Sequence, residues 1–420
     1  MTTGEPAQAD DPGRQRWTWD QQILPRWLLV GHTGTPQFAD EDALALCADI
    51  DGLFVDLPPR PREWFTLLGC VPDGVLASIL DSLTLDTAGT GRAWLGNLWV
   101  SARPDDSATQ RGWFGVGLLD VTVLDHQPSG ISPGCVDVEL EGLVDRTDTV
   151  YHPGDLTGFV LSGPDDARCG VCADVTGVFE DPAERLVPHV TLVGCRPEPP
   201  LLAAIAAVPQ STKAGLRRRR VSAAVKAIAA DGSAVPLLDV FVAGTLISSV
   251  PSGLGDGLLD VTIDSDVCDP PPAGTRDILD LWFTGGPTER NLWAGYDRAL
   301  RRAWALVAFA YHRDIPDRLA GTVFDLDGRF VTDIEGFYCA IGEAINGPGG
   351  YFGSNLDDLD ECLRHGNCGA QIPFHLIWHD SAVAREHLVA GYDRHRYAPT
   401  ITLDDLLQIF AEYNVEVELR

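Results

Sequence analysis

The 420-residue sequence predicts two tandem, related α+β domains followed by an α/β domain with a small parallel three-stranded sheet. Two observations carry that prediction. Blocks of sequence recur, in one order, within the first 290 residues. The last hundred residues then alternate strand-like and helix-like segments, the pattern of a parallel sheet with crossover helices.

The recurring blocks set the domain boundaries. Cys47-Ala-Asp-Ile-Asp-Gly-Leu-Phe54 returns as Cys172-Ala-Asp-Val-Thr-Gly-Val-Phe179, and Thr66-Leu-Leu-Gly-Cys70 as Thr191-Leu-Val-Gly-Cys195, both 125 residues on. Gly117-Leu-Leu-Asp-Val-Thr122 returns as Gly257-Leu-Leu-Asp-Val-Thr262, 140 residues on, which implies an insertion around Ser211 to Asp231. A period this long means two related domains rather than a solenoid, about 17–146 and 147–287. Residues 1–16 are polar and acidic and are expected to form a disordered tail.

Within each copy, Trp94 to Val100, Leu118 to Leu124 and Val136 to Leu140 read as strands. Pro72 to Leu83 and Pro199 to Val208 carry helical spacing after a strand ending in Gly-Cys. Arg217 to Arg220, followed by an Ala/Val run, predicts an exposed basic helix whose arginines pair with nearby carboxylates. From Glu289 to Arg313, Leu292, Tyr296, Leu300, Trp304, Val307 and Tyr311 recur at helical spacing. This linker helix, within 288–315, is expected to pack between the duplicated domains and the last one, with Asp314-Ile-Pro316 ending it.

The final domain, 316–420, opens on a strand-like run from Gly321 to Asp327. A helix follows over Asp333 to Ile345, with Ile334, Phe337, Ile341 and Ile345 on one side. After the turn-rich Asn346-Gly-Pro-Gly-Gly350, Ser354 starts a short helix through Leu363 in a capping-box-like arrangement with Asp357. Phe374 to Trp378 is a second strand, Leu403 to Tyr413 a helix and Val415 to Leu419 a last strand. The short helix has an apolar stripe, Leu356, Leu359 and Leu363. Asp357, Asp358, Asp360 and Glu361 lie off it, with Asp357 and Glu361 four apart on one face. Acids suit a helix N-terminus, but that accounts poorly for Glu361, nearly two turns in.

Composition narrows the function classes. With 61 acids against 31 bases the net charge is −30, which excludes a general basic surface for nucleic acid and favours a basic protein partner. Only Lys213 and Lys226 are lysine and Met1 is the only methionine, the codon bias of a GC-rich bacterial genome. No segment resembles a signal peptide or a membrane helix, so the ten cysteines are expected as mostly reduced thiols in a cytoplasmic protein.

Tyr351-Phe-Gly-Ser-Asn-Leu-Asp-Asp-Leu-Asp-Glu-Cys-Leu363 resembles the signature of the barstar family, intracellular inhibitors of barnase-type ribonucleases. The Asp-Gly turn near 327 and Leu407-Gln-Ile-Phe410 with its closing strand are similar to that family in order and spacing. The resemblance covers about 318–420. It implies a barstar-like sheet whose acidic helix and preceding loop plug a ribonuclease active site, with no catalysis and no cofactor or metal. By position, Tyr351, Gly353, Asn355, Asp357 and Glu361 would line that surface, with Asp360 beside them and Glu412 at the rim. Tyr351 would stack near the catalytic groups. The family pattern has aspartate at Glu361, an aromatic at Asp360, tyrosine at Phe352 and an acid at Ser354, so these exchanges imply a ribonuclease other than barnase itself. Residues 313–420 hold 19 acids and 8 bases, a charge suited to a cationic ribonuclease cleft.

Other readings compete. An interaction module could keep the fold without a ribonuclease target. Val323-Phe-Asp-Leu-Asp-Gly328 is similar to the nucleophile motif of haloacid-dehalogenase-type phosphatases, but Arg329 stands where that motif wants Thr or Val. Gly347 to Gly353 follows a helix rather than a strand and leads into acids, so it is no phosphate loop. Cys169, Cys172, His189 and Cys195, or Cys362, His365 and Cys368, have the residue types of a metal site, although buried core thiols account for them as well.

Overall fold

The computed structural model describes residues 16–31, 42–85, 91–102, 115–145, 158–178, 188–209, 212–265, 267, 269–312 and 316–420. Except for Arg16, the tail expected at 1–16 lies outside them. Contacts group the chain into two units, 1–57 with 185–389 and 401–420, and 58–184 with 390–400. These units do not follow one another along the sequence, as consecutive domains at 17–146 and 147–287 would.

The first half contributes β1 (Trp27–Gly31), β2 (Ala43–Asp51), β3 (Glu63–Pro72), α1 (Gly74–Leu85), β4 (Ala93–Ala102), β5 (Gly115–Pro128) and β6 (Val136–Asp145). Then come β7 (Phe159–Ser162), β8 (Arg168–Cys172), β9 (Asp174–Thr176), β10 (Val190–Pro197), α2 (Pro199–Ala206), α3 (Lys213–Arg218), β11 (Arg220–Ile228), β12 (Ala234–Pro251) and β13 (Leu259–Ser265). In the first unit β1, β11, β12, β13, β10 and β2 close an antiparallel barrel. In the second, β3, β6, β5, β4, β7 and β8 form a circuit that β8 and β9 complete against β3. The order of pairing is the same when β3 to β8 are set against β10, β11, β12, β13, β1 and β2. Each barrel thus has four strands from one stretch of chain and a further pair: β7 and β8, which follow β3 to β6 directly, and β1 and β2, which precede β10 to β13 by well over a hundred residues.

The recurring Thr-Leu-x-Gly-Cys block has a physical reason in both barrels. Gly69 and Gly194 sit at φ +59° and +56°, inside bulges where the register of β3 and β10 shifts. A left-handed bulge position favours glycine. The freed amide is caught each time by an aspartate of the neighbouring strand, Gly69 N–H donating to Asp137 at 2.8 Å and Gly194 N–H to Asp260 at 2.7 Å. That bond holds the Asp137 carboxyl below its ordinary range. The sequence blocks set Asp260 against Asp120, whereas in structure Asp260 does the work of Asp137. Cys70 lies by Cys172 in one barrel, where burial pushes each thiol up to about 12, and Cys47 is in register with Cys195 in the other.

Both N-terminal domains are β-barrel-like, where the sequence predicted α+β. The helices after Gly-Cys are present as α1 and α2, burying Leu76 and Leu80, and Leu201 and Ala204. The Ala/Val run after Arg217 to Arg220 is a correction: only Lys213–Arg218 is helical, and Val221, Ala223, Val225 and Ala227 alternate inward as strand β11.

The C-terminal domain comprises β14 (Val323–Asp327), α6 (Ile334–Asn346), α7 (Leu356–His365), β15 (His375–His379), α8 (Ser381–His387), α9 (Leu403–Glu412) and β18 (Glu416–Leu419). The parallel sheet runs β14, β15, β18, as its strand and helix order predicted. Between α8 and α9 the short strands β16 (Tyr392–Asp393) and β17 (Ala398–Pro399) belong to the second unit. There Arg394 and Arg62 both pair with the buried Asp120.

Before this domain lie α4 (Thr275–Phe283) and α5 (Arg298–Ala310). The linker helix is thus shorter than Glu289 to Arg313, starting where Asp297 caps Leu300 N–H at 2.9 Å. The first barrel, α4, α5 and the C-terminal domain share one apolar core, with Trp293, Trp304 and Trp378 fully buried in it. Polar anchors reinforce it. Arg301, only 9 % exposed, donates to Asp333 (2.6 Å), Thr332 (2.9 Å) and the Ala294 carbonyl (3.0 Å), and Arg298 pairs with the buried Glu335 at 2.8 Å. No described helix is long and apolar enough to cross a membrane.

Candidate functional site

Helix α7 presents the acids. Of its expected apolar stripe Leu359 and Leu363 are buried, with Cys362 beside them, and Leu356 is half-buried against the same core. Its cap differs from the expected one: Asn355, not Ser354, is the N-cap, accepting from Asp358 N–H at 2.9 Å. Ser354 instead donates its hydroxyl to the Asp358 carboxylate. Gly353 precedes them at φ +98°, where a Cβ would sit 2.9 Å from Leu359 N, so glycine alone lets the loop approach the helix this closely.

The four acids divide into two pairs. Asp358 is tied to Ser354, and Asp360 is held by Arg364 and the Tyr413 hydroxyl. Asp357 and Glu361 are exposed to solvent, one turn apart. Glu412 is also exposed, accepting from Gln408 at 3.2 Å. The face therefore offers the carboxylates of Asp357 and Glu361, with Asn355 above them and Asp360 already neutralised.

Tyr351 is placed otherwise than the resemblance implied. It is 4 % exposed, its ring edge-on to Phe309 of α5 at 4.9 Å between centroids and 5.7 Å from His312. Burial and then the Asp358 carboxylate raise its hydroxyl well above the ordinary tyrosine range. Asn346 fixes the loop by donating to the carbonyls of Tyr351 and Cys368, each at 2.7 Å. Phe309 and His312 had not been singled out from the sequence. The available signal was Phe309 itself, a large apolar residue lying off the stripe defined by Trp304, Val307 and Tyr311.

The competing sites resolve differently. Asp327 accepts from Arg329 and Asn291 (2.6 and 2.8 Å), and Arg329 lowers it to about 2, while Asp325 meets His379 at 2.7 Å. Both carboxylates thus have structural partners. Cys362 and Cys368 are joined by a disulfide rather than kept as reduced thiols, and the other described cysteines are free. Cys169 and Cys172 belong to one unit, His189 and Cys195 to the other. Among the described residues no group of three or more His, Cys, Asp and Glu is arranged to hold a metal.

The model of the Barstar family, described as barstar (barnase inhibitor), matches residues 321–418. The C-terminal domain is accordingly a barstar-family domain, an inhibitor class rather than a catalytic one, and the match does not extend to the two barrels. No curated protein and no solved structure matches the chain.

Proposed function

We propose that this chain is an intracellular, cytoplasmic protein inhibitor of a barnase-type ribonuclease or ribonuclease toxin. The observation that carries this reading is the exposed Asp357 and Glu361 pair on the acidic helix of a barstar-family domain. A ribonuclease cleft is cationic because it must hold phosphates, and two carboxylates one turn apart can occupy phosphate positions within it. Charge complementarity of this kind steers association and makes its rate fall with salt. The two barrels, with the same pairing order and matching Gly–Asp bulge bonds, are read as a duplication that recruits the inhibitor or recognises the remainder of a toxin.

The test titrates the full chain into barnase and a panel of barnase-type ribonucleases while RNA cleavage is followed, with Asp357→Ala/Glu361→Ala alongside. Stoichiometric inhibition by the wild type, weakened by salt and lost in the double variant, is the expected result. A folded chain that inhibits none of them at low salt would overturn the proposal. The covered Tyr351 favours a second reading, an interaction module that keeps the fold without a ribonuclease target. Under that reading the double variant leaves all ribonuclease activities as they are in the presence of the wild type.

A further inference from the structure

Helix α5 stands over the loop that leads into α7, and it is not free to leave. Arg301 and Arg298 are tied to Asp333 and Glu335, and Trp304 and Val307 are buried. Removing α5 from the loop would strip these groups of their partners and expose the shared core. A protein docking on α7 therefore meets the last turn of α5 rather than the ring of Tyr351. That turn offers something to meet: Phe309 packs on Tyr351 and remains 40 % exposed, and His312, also on Tyr351, donates from Nε2 to the Asn367 carbonyl, 3.3 Å away. The contact runs on without a break, since Tyr351 interacts in turn with Ser354 and Asp358, at the start of the acidic helix.

We propose that Phe309 and His312 form the aromatic part of the ribonuclease-binding surface, continuous with Asp357 and Glu361, so that α5 and α7 together select the partner. This rests on the inhibitor reading above. The occupant is the rim of a cationic ribonuclease cleft. The carboxylates pair with its basic groups, and the exposed Phe309 ring receives apolar or guanidinium surface beside them. Aromatic anchors next to desolvated charge pairs dominate many interfaces, and a half-exposed phenylalanine fixed on a locked helix loses little freedom on binding.

The experiment measures inhibition constants of the full chain against barnase and the panel, with thermal unfolding of each variant as the folding check. Phe309→Ser is expected to weaken inhibition at least tenfold with only a small fall in melting temperature and the chain still fully folded at the assay temperature, Phe309→Leu to restore part of it, and His312→Ala to weaken it a few-fold. Leu202→Ser, an exposed apolar residue on α2, serves as the control and should change nothing. If Phe309→Ser inhibits as well as the wild type while Asp357→Ala/Glu361→Ala does not inhibit, the acidic face binds alone and the α5 proposal falls while the inhibitor reading stands. Tighter inhibition by Phe309→Ser would mean that the turn covers the site instead of contributing to it, which also overturns the proposal. Absence of inhibition by the wild type removes the inhibitor reading and this inference with it.

Discussion

The acids of α7 and the acids facing α5 lie in the same domain and in opposite surroundings. Glu335 is buried and Asp333 nearly so, and each has an arginine within 2.8 Å. Asp357 and Glu361 are exposed. A buried carboxylate must be paired, because its desolvation is otherwise uncompensated, so the first pair is committed to holding α5. A solvated carboxylate pair costs the fold only a few tenths of a kcal/mol in helix repulsion, about 0.2–0.5, and stays available to another molecule. Burial and partners separate the acids committed to the fold from those left available, and residue type does not.

Five variants would break or sharpen that contrast. The largest effect is expected from Arg301→Ala, which removes a buried arginine and leaves the nearly buried Asp333 without its charge partner; it should cost about 3–5 kcal/mol of stability, read from denaturant unfolding of the full chain. Asp357→Ala/Glu361→Ala should do the reverse, leaving stability within about 0.5 kcal/mol while removing the ribonuclease affinity, seen by calorimetry at two salt concentrations. Gly194→Ala tests the barrel bulge. At φ +56°, with the new Cβ 2.8 Å from a Leu254 methyl, it should cost about 1–2 kcal/mol, and Gly69→Ala a similar amount in the other barrel.

The smallest effect concerns pH. Asp327 is held down to about 2, chiefly by Arg329, so its folded pKa lies below its unfolded one. The stability it contributes is complete above its unfolded value near 4 and is lost as pH falls from there through about 2. Asp327→Asn should remove that acid-side dependence and change stability at pH 7 by about 1 kcal/mol or less, since Arg329 is solvent-exposed. A pH titration of unfolding with an unaltered acid limb in the variant would show that the ion pair does not contribute.

Local chemistry made the C-terminal domain legible. Ile334, Phe337, Ile341 and Ile345 at helical spacing, and an Asp at the cap position, specified α6 without help from elsewhere. Asn355 and Ser354 were harder to separate, because both are good cap residues and adjacent. Gly353 close against Leu359 places the cap one residue later, and that approach exists only in three dimensions. The barrels are hidden from the sequence for a larger reason. Their helices follow Gly-Cys as the spacing implied, but closure depends on β1 and β2 pairing with β11 and β10, which no local window contains. The site was half visible: Asp357 and Glu361 are on the surface as the helical spacing implied, while the cover on Tyr351 comes from a helix some forty residues earlier in sequence.

The strand order also has a consequence for synthesis. β1 and β2 leave the ribosome early, yet their partners β10 and β11 lie beyond the whole of 58–184. At about 5–20 residues per second, the pair waits roughly 10–30 s for its neighbours. During that interval the hydrogen-bonding edges of Trp27–Gly31 and Ala43–Asp51 are open to any passing strand, whereas β3 to β6 have one another almost at once. Pulse-labelled ribosome-bound chains arrested before and after β11 would show protease protection of β1 and β2 only in the longer one. The first barrel is thus the last part of the duplicated region to be able to close, although two of its strands precede every strand of the second.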